Sequence, residues 1–145
     1  MAGLFLVQTG DPDFAEVALE GARAQFARHG FTGCTERAFP GWRMLHAEPI
    51  LGGPESLFVD GEDFVAAAGT LTYDGMIGRP ALEALLRTVT LPEPDWSHLA
   101  GQFVLVVRRE GRTFVLTDYF AAFQLFHDAE RRFFSTSLLA AAEAL

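Results

Sequence analysis

Four histidines, one cysteine and a few clustered carboxylates are the residues of this chain that could do chemistry. His29, His46, His98 and His127 fall in four different elements, and none stands in an H-x-x-x-H or H-E-x-x-H spacing. That pattern gives no zinc site, and no metal or other cofactor is expected. Cys34 follows Gly33 in a turn, with no His or Asp beside it to activate a thiolate, and reads as an inert thiol. A single cysteine makes no internal disulfide, which fits a reducing cytoplasm. Asp60, Glu62 and Asp63 cluster at a hairpin turn without EF-hand spacing, and Gly52-Gly53-Pro54 lacks the strand-to-helix context of a phosphate loop. Asp118-Tyr119-Phe120 is the one polar-plus-aromatic unit with functional potential, although an Asp at a strand end serves equally to anchor a loop.

The elements that would position these residues read as an α+β chain. Gly3 to Val7 is a short apolar strand. Asp11-Pro12 supplies a helix cap and a first-turn proline, and Phe14, Val17, Ala18, Ala22 and Phe26 recur at helical spacing until His29-Gly30. From Phe31 to Ala68 short strand-like runs are broken at Pro40-Gly41, Gly52-Gly53-Pro54 and Asp60-Gly61, the spacing of antiparallel hairpins. Ala66 to Tyr73 is a strand running into a loop. Pro80 to Val89 is a helix with Leu82, Leu85, Leu86 and Val89 on one side. Glu110-Gly111 joins two strands, Gln102 to Arg108 and Arg112 to Thr117. A second hairpin pairs Phe123–His127 with Arg132–Ser135, and Ser135 or Thr136 is expected to cap a last helix through Ala144. Sheets covered by helices follow from this order.

With 145 residues, half of them apolar, the chain is expected to be one domain, residues 1–145, with a full core. The formal charge of −8 and the absence of a basic run argue against a nucleic-acid partner. No apolar run approaches the ~20 residues of a membrane span, and the N-terminus lacks a signal-type basic region, so neither membrane nor secretion is indicated.

Leu99-Ala100-Gly101-Gln102-Phe103, then Thr117-Asp118-Tyr119-Phe120, then Phe134-Ser135-Thr136-Ser137-Leu138, read with Met1-Ala2-Gly3-Leu4, form a succession that resembles the glutaminase domain of the asparagine synthetase family, the class II glutamine amidotransferases. Leu99, Gly101 and Phe103 fall on that family's Leu-x-Gly-x-Phe strand opening, and Phe114 to Asp118 on the strand ending in Arg-Asp, with Thr117 in place of the Arg. Tyr119 to Phe126 keep the bulk of Pro-Leu-Gly-Ile-Lys-Pro-Leu-Tyr without its glycine, lysine and prolines. Phe134 to Ala141 match the pattern of Phe-Ala-Ser-Glu-Ile-Lys-Ala-Leu, with Ser137 where the glutamate would be. Weaker matches are Ala68-Gly69-Thr70-Leu71 to Asn-Gly-Glu-Ile, and Leu82 to Leu86 to the helix that starts Asp-Thr-Glu.

The resemblance implies the four-layer α/β/β/α sandwich of N-terminal nucleophile hydrolases, shortened at its C-terminal end, with Gly3 to Val7 inside a sheet and paired to a C-terminal strand. It also implies that glutamine chemistry is gone. The family's nucleophilic cysteine is Ala2. Its oxyanion-hole Asn is Ala68, leaving Gly69, and the Asp that grips the substrate's α-amino group would lie near Ala81. Arg43 is the candidate for the arginine that binds the substrate carboxylate. Losing one oxyanion donor costs about 100- to 1,000-fold in rate, and losing the nucleophile removes the covalent route. Ala2, Arg43, Ala68, Gly69 and Asp118 are then vestigial site positions.

The expected role is a catalytically inactive docking or structural module of an ATP-dependent amide-forming enzyme, as in β-lactam synthetases and lasso-peptide cyclases, where the substrate supplies the amine. The partner is a synthetase-type domain or subunit, or a second copy of the chain. Two alternatives stand beside it: an active glutamine hydrolase whose cysteine has been replaced by Ala2, and a stand-alone interaction module. Family members continue for several more strands, so a chain ending at Leu145 is expected to leave a sheet edge to be covered. Phe114, Phe120, Phe123, Phe126, Phe133 and Phe134 cannot all face inward from two adjacent hairpins, so self-association or docking is expected there.

Overall fold

The computed structural model describes residues 2–49 and 52–145. In chain order the elements are β1 (Gly3–Gln8), α1 (Pro12–Arg28), β2 (Cys34–Phe39), β3 (Trp42–Ala47), β4 (Leu57–Asp60), β5 (Asp63–Tyr73), α2 (Gly78–Thr88), β6 (Leu99–Arg109), β7 (Arg112–Thr117), β8 (Phe126–His127), β9 (Phe133–Ser135) and α3 (Leu138–Ala144). The strands form two antiparallel sheets, so the protein is α+β with three helices. The chain divides into two compact units, Met1–Gly52 with Gln124–Leu145, and Gly53–Phe123. Among the described residues no helix is long and apolar enough to cross a membrane.

The first unit is built on a five-stranded sheet in the order β2-β3-β1-β9-β8. β1 runs through its centre, with Phe5 opposite Leu45 of β3 on one side and Ser135 of β9 on the other. The N-terminal strand therefore lies inside the sheet and pairs with a C-terminal strand, as expected. α1 starts where Asp11 accepts a hydrogen bond from the Phe14 N–H at 3.1 Å and Pro12 presets the first turn. Its face of Ala15, Ala18, Leu19, Ala22 and Phe26 packs on Phe5, Val7, Leu45, Ala47 and Phe133, and α3 adds Ala140, Ala141 and Ala144. Phe5 and Phe133 stack with centroids 5.7 Å apart. Each fully buried Phe contributes about 2–3 kcal/mol from area removed from water. Val17, expected on the buried face, is exposed, because the stripe that meets the sheet is carried by Ala15, Leu19 and Ala22 instead.

The second unit is a four-stranded sheet, β4-β5-β6-β7, with α2 on one face. Ala81, Leu82, Leu85 and Leu86 of α2, with Val89, bury against Phe58, Val65, Ala67, Leu105 and Val107. This is the apolar side foreseen from the 3.6-residue spacing.

Two local expectations change. The last helix is capped by Ser137, whose hydroxyl accepts the Ala140 N–H at 3.2 Å. Ser135 and Thr136 are engaged elsewhere: Ser135 Oγ donates to the Ser137 carbonyl, and Thr136 Oγ1 accepts the Leu4 N–H at 3.0 Å. The strand expected from Phe123 shrinks to Phe126–His127, because the N–H groups of Ala122 and Phe123 are taken by Asp118.

Candidate functional site

Ala2 leads directly into the central strand and is buried. Its methyl group offers neither nucleophile nor hydrogen-bond partner. Arg43 pairs in register with Val7, at the far end of β1. Five residues of strand separate it from Ala2, about 16 Å. The guanidinium is also committed: Nε donates to Glu36 Oε1 at 2.6 Å and Nη1 to Glu16 Oε2 at 2.7 Å. Arg23 holds the other oxygen of Glu36. Glu16 and Glu36 push Arg43 further above its ordinary value, as expected for an arginine whose charge is matched by α1 and β2. The structure therefore does not bring Arg43 and Ala2 together.

The sequence words in the second unit do meet. Ala68 and Gly69 lie in β5, with Gly69 opposite Phe103 of β6. Ala68 is fully buried and carries no donor. Gly69 has φ +98°, and a Cβ there would strike the Gln102 carbonyl oxygen and sit 2.9 Å from the Phe123 ring. Gly101 has φ +115°, and a Cβ there would strike the Thr70 carbonyl. Only glycine fits either position.

Phe103 links this pair of glycines to Asp118. Its N–H donates to Asp118 Oδ2 at 3.1 Å, and its carbonyl accepts the Asp118 N–H at 2.9 Å. The same carboxylate accepts three more backbone N–H groups, from Phe120 at 3.2 Å, Ala122 at 2.9 Å and Phe123 at 3.0 Å. Burial pushes the carboxyl up, but these backbone bonds outweigh it and hold Asp118 below the usual carboxylate range. Gly69, Leu99-x-Gly101-x-Phe103 and Asp118, three separate stretches of sequence, thus converge on one knot. Its work is to fold the 119–123 segment back over the β5–β6 pair, and nothing in it is poised for nucleophilic attack.

Beside the knot lies an open groove of about 390 Å³ lined by Trp96, Leu99, Ala100, Gly101, Phe103, Tyr119 and Phe120. Trp96 meets Tyr119 edge-on at 5.5 Å, and Tyr119 meets Phe120 at 5.1 Å. Tyr119 and Phe120 are 67% and 85% exposed.

A second depression of about 280 Å³ carries His98 between two carboxylates. Nδ1 lies 2.5 Å from Asp74 Oδ1 and Nε2 3.4 Å from Asp95 Oδ2. Asp74 and, more weakly, Asp95 raise the His98 pKa. Tyr73 bonds Thr88 at 2.8 Å on the same wall. Neither the groove nor the His98 pair was evident as a site in the sequence. Which carboxylates a loop delivers to a distant histidine is a tertiary fact.

The remaining reactive groups stay apart. Cys34 is exposed on the edge strand β2, and partial burial pushes its thiol up, against the pull of Arg23. His127 is exposed at the end of β8 and Ala81 is buried in α2. His46 is buried in β3, where desolvation pushes it down against the pull of Glu48. Among the described residues no group of three or more His, Cys, Asp or Glu side chains is placed to hold a metal ion. No protein-family model, curated protein or solved structure matches this chain.

Proposed function

We propose that this chain is a glutaminase-like domain that does not hydrolyse glutamine and serves as a docking module of an asparagine synthetase-like, ATP-dependent amide-forming enzyme. The observation that carries the reading is the position of Ala2: it heads a strand central to its sheet, where the resembled family places its cysteine, and it has no thiol. Further support is the convergence of Gly69, Gly101, Phe103 and Asp118, the best-matched residues, on one knot. The finer architecture proposed is the α/β/β/α sandwich. It is supported by two antiparallel sheets, each with helical packing on one face.

The test is glutamate release from glutamine by the purified chain. No release above a buffer blank is expected. Ala2→Cys restores the thiol but neither an oxyanion donor at Ala68 nor a carboxylate at Ala81, so no rescue is expected. Clear rescue would instead support a working hydrolase that lacks only its cysteine.

A further inference from the structure

His98 holds two connections of the second unit at once. Its Nδ1 lies 2.5 Å from Asp74 Oδ1, between β5 and α2, and its Nε2 lies 3.4 Å from Asp95 Oδ2, between α2 and β6. An ionised carboxylate only accepts, so each ring nitrogen must donate to satisfy its partner. The imidazolium carries two N–H groups, whereas the neutral ring carries one N–H and one lone pair. The arrangement is therefore complete only with His98 protonated. Once the proton leaves, a lone pair faces one of the two carboxylates.

The longer contact is the one that fails. Asp74 has the shorter bond, and its N–H also donates to the His98 carbonyl at 2.9 Å. Asp95 stays ionised, because the Ser97 hydroxyl and N–H donate to its Oδ1 at 2.7 and 3.0 Å and hold it below the usual carboxylate range. The other residues lining the depression are Tyr73, Thr88, Val89 and Thr90, none of them a cation. The Tyr73 hydroxyl is engaged with Thr88 at 2.8 Å. At the end of α2, Arg87 is paired with Glu83 at 3.0 Å, and Arg109 Nη1 donates to the Leu86 carbonyl at 3.2 Å.

Trp96 stands inside the turn that Asp95 ties. The Asp95 N–H donates to Thr90 Oγ1 at 3.0 Å and its carbonyl accepts the His98 N–H at 3.2 Å. A carboxylate that swings away from His98 draws Ser97 with it, and Trp96 lies between the two. Trp96 is half-buried and forms the wall of the aromatic groove, edge-on to Tyr119 at 5.5 Å.

We infer that His98, bracketed by Asp74 and Asp95, is a pH-operated latch on the aromatic groove. With the imidazolium in place the turn is closed and Trp96 stands against Tyr119. With the neutral ring Asp95 is released and Trp96 leaves Tyr119. Asp74 raises His98 above its ordinary value of about 6.5, so the latch is shut below that pH and opens as pH rises through the folded value. The latch lies within the second unit and does not depend on the docking role proposed above.

The experiment is proton NMR of the whole chain from about pH 5 to pH 9, the span that brackets histidine titration. The carbon-bound ring protons of His98 report its protonation, and cross-relaxation between the Trp96 and Tyr119 rings reports the latch. His98→Gln, Trp96→Phe and Tyr119→Phe assign the signals. The cross-peaks are expected to fall about twofold or more on raising the pH, with the midpoint of the His98 ring. Asp74→Asn should lower both midpoints together. Asp95→Asn keeps an oxygen for Ser97 and offers an N–H to the neutral ring, so the cross-peaks should persist to high pH while His98 still titrates. Asp74, Asp95 and His98 side chains are about half exposed, so these variants keep the fold; circular dichroism confirms it. A His98 ring that does not titrate in this span, or cross-peaks constant with pH, would overturn the latch. So would a midpoint that fails to follow His98 in Asp74→Asn, or a pH response that survives His98→Gln.

Discussion

Asp118 spends both carboxylate oxygens on the backbone, and that use decides what its substitution does. Asp118→Ala leaves four N–H groups without their acceptor, one of them, from Phe103, fully buried. A loss of about 2–4 kcal/mol in urea-unfolding stability is expected. The pH dependence has a definite sign. A depressed folded-state value means the contribution is complete above the ordinary carboxylate range, about 3.9, and is lost as pH falls through the folded value. The histidines pull in opposite directions near neutrality. His98 is raised by Asp74, so its contribution is complete below about 6.5 and fades as pH rises through its folded value. His46 is lowered by burial, so its contribution is complete above about 6.5 and fades as pH falls. Stability against pH is expected to peak between the two transitions. Asp74→Asn should flatten the alkaline side only, and denaturant midpoints across pH 5 to 9 check it (roughly the span over which a histidine titrates). Of the site residues, Asp118 was legible in sequence because an Asp at a strand end before an aromatic loop is a local signal. The isolation of Arg43 was not, since Glu16 and Glu36 reach it from α1 and β2 only once the chain has folded.

At the scale of elements, glycine separates turns that need only freedom from strands that need space. Gly30 has φ +87° with nothing within 4 Å of a would-be Cβ, so Gly30→Ala is expected to cost about 1 kcal/mol of backbone strain. Gly69 and Gly101 combine positive φ with a collision against the neighbouring strand's carbonyl, so alanine at either should cost about 2–3 kcal/mol more. Chemical denaturation of the three variants side by side reads the difference. The helices and the β6–β7 hairpin could be read from periodicity because their apolar faces repeat along the chain. The cap of α3 and the length of β8 could not. Three hydroxyl residues stand in succession, Ser135 to Ser137, and the strand that claims Thr136 begins at the other end of the sequence. The six phenylalanines do not all face inward: Phe133 is fully buried while its strand neighbour Phe134 is half-buried, Phe120 in the loop after β7 is nearly bare, and the others lie half-buried.

For the whole molecule, the two units differ in how the chain supplies them. Gly53–Phe123 is one continuous stretch, whereas the other unit is assembled from both ends around it. Leu4 exchanges hydrogen bonds with Thr136, a separation of 132 residues. Composition and turn spacing gave no hint of this division, because the strand that joins the two ends, β9, meets β1 only in the folded chain. The threading of β1 between β3 and β9 sets an order of events in time. As the chain leaves the ribosome, the inner stretch has all its strands before β1 has its second neighbour, and closing so long a loop is slow. Amide protection in pulsed hydrogen exchange should therefore appear first in β5 and β6 and last in β1. For that interval, the strand that heads the sequence waits with one edge open for residues not yet made.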